Sequence, residues 1–410
     1  MKTSKPMPLA SPESIWDALR AEVKPVKTRR IAVDESLGRV LACDACARHD
    51  FPPFDRAVMD GYAVRRADFQ KGRAKLKCVA LARAGGEDVP ELRAGNCVRI
   101  NTGAPLPRGA DAVVMIENTR ADGDSVLLSD NPPAGQHIER QAALTRTGAL
   151  LIRAGARIEP GALAALVSGA VEEVDVFTRP QVALLSTGDE VVEFGGELDH
   201  GQIHDSNSIL MDELIRRCGA DIARIGRCPD EPAALRASLE LGLSHDLLCV
   251  VGGMSKGTHD LVPGLLEDLG VEWLASGVQL KPGKPARIGR GQSGGWVLGL
   301  PGNPVSCMVC FLLFGRAILD GLQGLPVGRP PHLNAALDAQ MPKNGSRPLY
   351  QPAEWSASSN GDARVTPIVW RGSGDPFGMA SANALIYRPA DAAAAQRGDQ
   401  VSILPVDLPR

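Results

Sequence analysis

Gln181-Val182-Ala183-Leu184-Leu185-Ser186-Thr187-Gly188-Asp189-Glu190 is the stretch on which the fold turns. A short continuous apolar run that ends in a polar, glycine-containing turn describes a strand buried on both faces, as in a parallel sheet. Working outward, SNSILMDELIRRCG places Leu210, Leu214 and Cys218 on one helical face, with Gly219 as the stop. EPAALRASLELGL and HDLVPGLLEDLG read as further helices, and HDLLCVVGG between them as another buried strand. Buried strands alternating with helices predict β-α-β units and a mostly parallel sheet covered on both faces over residues 177–327. Such sheets receive ligands at the carboxyl ends of their strands.

The flanks have a different grain. Ser11 caps an amphipathic helix in SIWDALRAEV, where Ile15, Leu19 and Val23 recur at fourfold spacing. Residues 11–47 and 137–176 read as this helix plus a discontinuous linker domain. Residues 48–136 carry LKCVALA, NCVRI and DAVVMI between glycines and prolines, which predicts a small β-rich domain. After about residue 328 the text is Pro-rich and short-stranded, so 328–410 is expected to form a separate C-terminal β domain. The class is therefore multidomain α/β plus β.

Bulk chemistry narrows the partners. Lys plus Arg is 45 and Asp plus Glu is 48, so no general field draws the chain to nucleic acid or to an anionic membrane. The N-terminal MKTSKPMPLASPES has no apolar core like that of a signal peptide, and no stretch is expected to reach the roughly eighteen apolar residues that span a bilayer, so the expected location is cytoplasmic. Nine cysteines, an odd number scattered through apolar text, do not describe a disulfide framework. Cys43–Cys46 and Cys307–Cys310 have C-x-x-C spacing, but neither has a second pair nearby to complete a zinc site. In CMVCFLLF the two cysteines are one helical turn apart and read as small core residues.

Three polar turns follow buried strands: Ser186 to Glu190 with Thr187, Gly188 and Asp189; Gly252-Gly253-Met254-Ser255-Lys256-Gly257; and Pro301-Gly302-Asn303-Pro304-Val305-Ser306. In a parallel sheet they converge on one edge, where glycines allow close approach and helix-start amides suit phosphate. Acids cluster there too: Asp189, Glu190, Asp205, Asp230, Glu231 and Asp260. They are hard oxygen ligands suited to Mg²⁺, with helix capping as the plainer reading for Asp205 and Asp230. Lys281-Pro282-Gly283-Lys284-Pro285 aims two cations from a proline-stiffened turn. In the β-rich segment, Phe54 to Val64 holds a lone acid, Asp60, and Asn101 to Pro107 is a Gly/Pro loop with a free hydroxyl, Thr102.

Taken in order, FDRAVMDGYAV, INTGAPLPRGADAVVMIE, STGDE, the stretch from Gly201 to Asp205-Ser206-Asn207, GGMSKGTHD, KPGKP and GLPGNPVS resemble the molybdopterin molybdenumtransferase family, which includes the E domain of gephyrin. The resemblance implies a Mg²⁺-dependent enzyme that inserts molybdate into adenylylated molybdopterin and releases AMP. It implies a catalytic set of Asp60, Thr102, Glu190, Asp230, Asp260, Lys281 and Lys284, with Glu190 and Asp260 on the metal. It implies that Thr187, Gly188, Asp189, Asp205, Ser206, Asn207, Gly252, Gly253, Ser255, Pro301, Gly302, Asn303 and Pro304 line the nucleotide. It also implies a homodimer whose active site joins the small β domain of one subunit to the α/β domain of the other. Implied partners are the molybdopterin adenylyltransferase and molybdoenzyme chaperones.

Departures from the family pattern are local. An arginine is expected at Glu139, and Gly-Glu-Asp at Ala142-Ala143-Leu144, so one acid is absent. Val250-Val251 stands for Thr-Ser before Gly252-Gly253, Thr258 for an acid, and Ala57 for a common serine. These losses keep open a non-catalytic or divergent pterin-nucleotide-binding paralogue, and the shared phosphate edge keeps open an adenylylating activity.

Overall fold

The computed structural model describes residues 8–86, 89–129, 131–254, 261–357 and 361–406. The chain forms two compact units, Met1–Arg29 with Phe177–Arg410, and Arg30–Val176.

In the first unit, six strands form one sheet in the order Asp221–Cys228, Gln181–Thr187, Leu247–Val251, Trp296–Leu300, Arg287–Arg290 and Glu272–Ala275. The first four run parallel, and their central members are buried along their whole length, as continuous apolar runs require. The last two pairings are antiparallel. Because Arg287 pairs with Gly299, the turn that precedes it comes to the same edge as the carboxyl ends of the parallel strands. Leu235, Leu239, Val262 and Leu266 pack on one face of this sheet, and Met211, Leu214 and Ile215 on the other.

Helix Pro12–Glu22 belongs to this unit, although in sequence it adjoins the linker segment. Ser11 caps it, Ile15, Trp16 and Leu19 enter the α/β core, and the Trp16 indole donates to the Leu313 carbonyl at 2.9 Å. The 19-residue helical run Pro304–Leu322, whose middle turn Phe311–Gly315 is π-wound, is apolar along most of its length. By length and composition it could cross a membrane, which corrects the expectation that no stretch reaches that length; 89% of its most apolar 18 residues are buried inside the fold. Cys307 and Cys310 are fully buried there, and burial pushes both thiols up, as expected of inert core residues. Residues 333–405 close a five-stranded barrel around Ala335, Leu337, Val365, Ile386 and Ile403.

The second unit holds a six-stranded mixed sheet ordered Ala112–Met115, Gly61–Val64, Asn96–Ile100, Ala74–Ala82, Ser125–Leu128 and Thr119–Asp122. A short antiparallel pair, Arg56–Ala57 with Ile138–Glu139, adjoins it, and helix Pro160–Ser168 packs in a small core of its own with Leu41, Ile158 and Val176. Among the described residues no three His, Cys, Asp or Glu side chains gather as a metal site, Cys43 and Cys46 included.

Candidate active site

In the α/β unit, Ser186 and Thr187 end strand Gln181–Thr187 with both side chains buried. The Thr187 hydroxyl donates to Asp230 Oδ1 across the neighbouring strand end. Asp230 is not the cap of the following helix. That place belongs to Glu231, whose carboxylate accepts the Ala233 and Ala234 amides at 3.3 and 2.9 Å. The Asp230 amide in turn donates to Asp189 Oδ1 at 3.3 Å, so these two turns are tied twice, through two carboxylates. Replacing Thr187 by valine removes the hydroxyl and leaves a half-buried carboxylate short of a donor. We expect a loss of about 1–3 kcal/mol, read as a lower urea midpoint at unchanged slope.

Gly252 makes the closest approach on this edge. Its φ is +88°, its amide donates to the Leu300 carbonyl at 3.1 Å, and a Cβ there would stand 2.4 Å from the Thr187 carbonyl oxygen. Only glycine fits. Gly302 follows the next strand, with the Gly252 Cα 3.8 Å from where its Cβ would lie, so these two turns touch. Asn207, 9% exposed, donates through Nδ2 to the Gly302 carbonyl at 2.6 Å, while its Oδ1 has no protein partner. Asp205 caps helix Ser206–Arg217 by accepting the Ser208 amide, so the capping reading holds at this position. Pro301 is buried, and Asn303 donates to the Ser373 hydroxyl at 3.0 Å.

Lys281 and Lys284 are exposed on a turn that is anchored from below. The Lys281 amide donates to the Pro348 carbonyl and its carbonyl accepts the Tyr350 amide, at 2.9 and 2.8 Å. Gly283, with φ +120°, rests on Cys310, whose Sγ would lie 2.4 Å from an added Cβ. The buried thiol at 310 therefore shapes the lysine turn, a role that spacing alone does not disclose. The strand-end residues Thr187, Gly188, Asp189, Glu190, Asp230, Gly252, Gly253, Pro301, Gly302, Asn303 and Pro304, together with both lysines, all lie at this edge. Ser255 and Asp260 lie outside the described residues.

In the other unit, Asp60 Oδ1 accepts both the amide and the hydroxyl of Thr102, at 2.7 and 2.9 Å. These two bonds hold the Asp60 carboxyl below the ordinary aspartate value. A carboxylate lowered in the folded state keeps its pairing in full above the ordinary value and loses it only as pH falls through the lower one. A carboxyl-carbon NMR titration should therefore place the Asp60 midpoint below that of an unstructured aspartate, and Thr102→Val should move it back up. Leu144, where an acid is expected, is 63% exposed, and Phe54, Val58 and Met59 are exposed on the neighbouring loop.

Family models match almost end to end: the MoeA N-terminal region, domains I and II, over residues 10–169; a probable molybdopterin binding domain over 183–321; and the MoeA C-terminal region, domain IV, over 334–406. The chain is 31% identical to the molybdopterin molybdenumtransferase of Haemophilus influenzae over 93% of its own length and 94% of that protein. It is 34% identical to the enzyme of the same name from a Nostoc species, over 76% and 74% of the two chains. The crystal structure of the molybdopterin biosynthesis MoeA protein from Pyrococcus horikoshii superposes with a TM-score of 0.82, at 27% identity over 97% of this chain and 99% of that one. Strand-end turns, lysine turn and Asp60–Thr102 pair thus stand in a chain that belongs to the molybdopterin molybdenumtransferase family.

Proposed function

We propose that this chain inserts molybdenum, taken up as molybdate, into the dithiolene of adenylylated molybdopterin, with release of AMP in the cytoplasm. The observation that carries the reading is the convergence of the Gly188, Gly252 and Gly302 turns and the Lys281–Lys284 turn on one sheet edge. In the reaction, water adds to a phosphorus of the phosphoanhydride and the bridging P–O bond breaks. AMP departs, and the two pterin thiols pass their protons to one oxygen of molybdate, which leaves as water as two Mo–S bonds form with no change of oxidation state.

The residues divide this work by chemistry. Backbone at Gly188, Gly252 and Gly302 gives the anhydride close contact without side-chain bulk, and Lys281 and Lys284 balance the charge of phosphate or molybdate oxygens. Asn207 fixes the Gly302 carbonyl and keeps one free amide oxygen toward the same edge. Of the two expected metal ligands the described residues contain only Glu190. One carboxylate with phosphate oxygens and water is an ordinary Mg²⁺ shell, so Glu190 fits that ion as a partner shared with substrate. Bound Mg²⁺ would neutralise charge on the anhydride. Asp60, held ionised by Thr102, is the acid–base or orienting group on the β-rich unit. A homodimer is part of this proposal, and light scattering at twice the chain mass checks it.

The direct test supplies adenylylated molybdopterin and Mg²⁺ with and without molybdate and quantifies AMP. Molybdate-stimulated AMP release with formation of active cofactor supports insertion. The exposed Leu144 favours one second reading, a pterin-nucleotide-binding paralogue. Tight nucleotide binding without AMP would select it.

A further inference from the structure

Two short strands near Asp60 carry opposite charges in an ordered pattern. Asp55 and Arg56 on one face Arg140 and Glu139 on the other, with Glu139 in register with Arg56 and Ile138 with Ala57. Arg56 Nη2 stands 2.6 Å from Glu139 Oε2, and Nε donates to the same oxygen at 2.8 Å. Arg140 Nη1 stands 2.6 Å from Asp55 Oδ2, and Asp55 Oδ1 accepts the Gln141 amide at 2.8 Å. A slip of one residue in either direction would set Arg56 against Arg140, or Asp55 against Glu139. Like charges directly opposite are destabilising, so the charges specify the register. The Arg56–Glu139 pair is the better shielded, at 29% and 22% side-chain exposure, and its guanidinium also lies 5.3 Å from the centre of the Phe51 ring.

Strand 56–57 passes this register on to the Thr102 loop. On its other side the Ala57 amide donates to the Ala104 carbonyl at 3.0 Å, and the Ala57 carbonyl accepts the Gly103 amide at 2.8 Å. The Leu106 amide donates to the Asp55 carbonyl at 2.8 Å. Val58, two residues before Asp60, is tied back to the His137 carbonyl at 3.0 Å. A shift in the 56–139 pairing therefore moves both partners of the Asp60–Thr102 contact.

We propose that Arg56 is a positioning residue for the Asp60–Thr102 site, and that the guanidinium expected at position 139 is supplied in this chain from the facing strand at position 56. The inference rests on the insertion reading, and it makes positions 56 and 139 a coupled charge pair. Arginine at 139 alone would meet Arg56, so restoring the residue expected from the family should harm this protein.

The experiment compares the parent, Arg56→Glu, Glu139→Arg, the Arg56→Glu/Glu139→Arg exchange and Arg56→Lys. Three readouts are taken: kcat and KM of molybdate-dependent AMP release, the Kd for adenylylated molybdopterin, and the melting temperature. Each charge reversal should lower kcat/KM roughly tenfold, as expected of a half-shielded pair. The exchange should return to within a few-fold of the parent, with Arg56→Lys in between. If a reversal does not fold, Arg56→Gln, Glu139→Gln and their double variant read the same coupling. Glu139→Arg as active as the parent would overturn the proposal. So would an exchange that regains the parent's melting temperature but not its kcat/KM, since the pair would then only stabilise the strands. If the parent binds nucleotide but releases no AMP, the insertion reading fails while the pattern of Kd values still decides on Arg56.

Discussion

Replacing Gly252 by alanine is expected to abolish turnover and to destabilise the α/β unit by at least about 3 kcal/mol. Two effects add. A left-handed backbone costs a non-glycine residue roughly 1–2 kcal/mol. The new methyl group would also stand 2.4 Å from the Thr187 carbonyl oxygen, which is backbone of a buried sheet strand and cannot rotate away. Separating them pushes the Gly252 turn off the strand ends, and a displacement of about 1 Å at a reacting centre costs on the order of a hundredfold in rate. Gly264 is the matched control. It sits in helix Val262–Asp268 with nothing within 4 Å of its added Cβ, so alanine there should stabilise by roughly 0.5–1 kcal/mol. Urea unfolding and AMP release on the two variants check both halves. A Gly252→Ala protein with parental stability and rate would dissolve the idea that this contact builds the site.

Asp60→Ala is expected to show the opposite profile, with activity lost and stability kept. Asp60 is exposed, so its two bonds to Thr102 contribute little to folding, and the melting temperature should not move measurably. Loss of a positioned acid–base group lowers kcat by roughly 10²–10⁴-fold. Asp60→Asn separates charge from geometry, because the amide oxygen can still accept from Thr102. We expect it to be nearly as slow as Asp60→Ala. Near-parental rates in Asp60→Asn would reassign the residue from proton chemistry to holding the Thr102 loop. Near-parental rates in Asp60→Ala would remove it from the site.

Three of the four parallel strands were legible because each is a short apolar run that stops at a polar or glycine turn, and that pattern depends only on burial of both faces. The fourth, Asp221–Cys228, interrupts its apolar residues with Asp and two Arg, and neither it nor the two antiparallel strands could be read that way. Glu272–Ala275 and Arg287–Arg290 mix Trp, Arg and Glu, and nothing in their local text states that they run antiparallel. That direction brings Lys281 to the site edge, and the anchors of its turn at Pro348 and Tyr350 lie almost seventy residues onward. Likewise the Asp230 side chain bonds Thr187 while its neighbour Glu231 caps the helix, a one-residue distinction that composition cannot make. The charge pairing of Arg56 with Glu139 was hidden for another reason. Read singly, Glu139 is a departure, and only the strand register shows where its opposite charge went.

The chain builds its larger unit from two ends, with helix Pro12–Glu22 made first and residues 177–410 made last. During synthesis the apolar face of that helix, with Ile15, Trp16 and Leu19, leaves the ribosome long before the Leu313 carbonyl that receives the Trp16 indole. At ordinary elongation rates of ~5–20 residues per second, roughly 300 intervening residues mean a wait on the order of 15–60 s. Arg30–Val176, by contrast, has all of its own core within one continuous stretch and can close as soon as it emerges. The order of birth and the order of assembly therefore differ: the inserted unit can mature first, and the opening helix finds its seat only after the run around Leu313 has emerged. A chain cut after Val176 would keep a complete inner unit and a leading helix with an uncovered greasy stripe, which is the kind of fragment that chaperones hold and proteases remove.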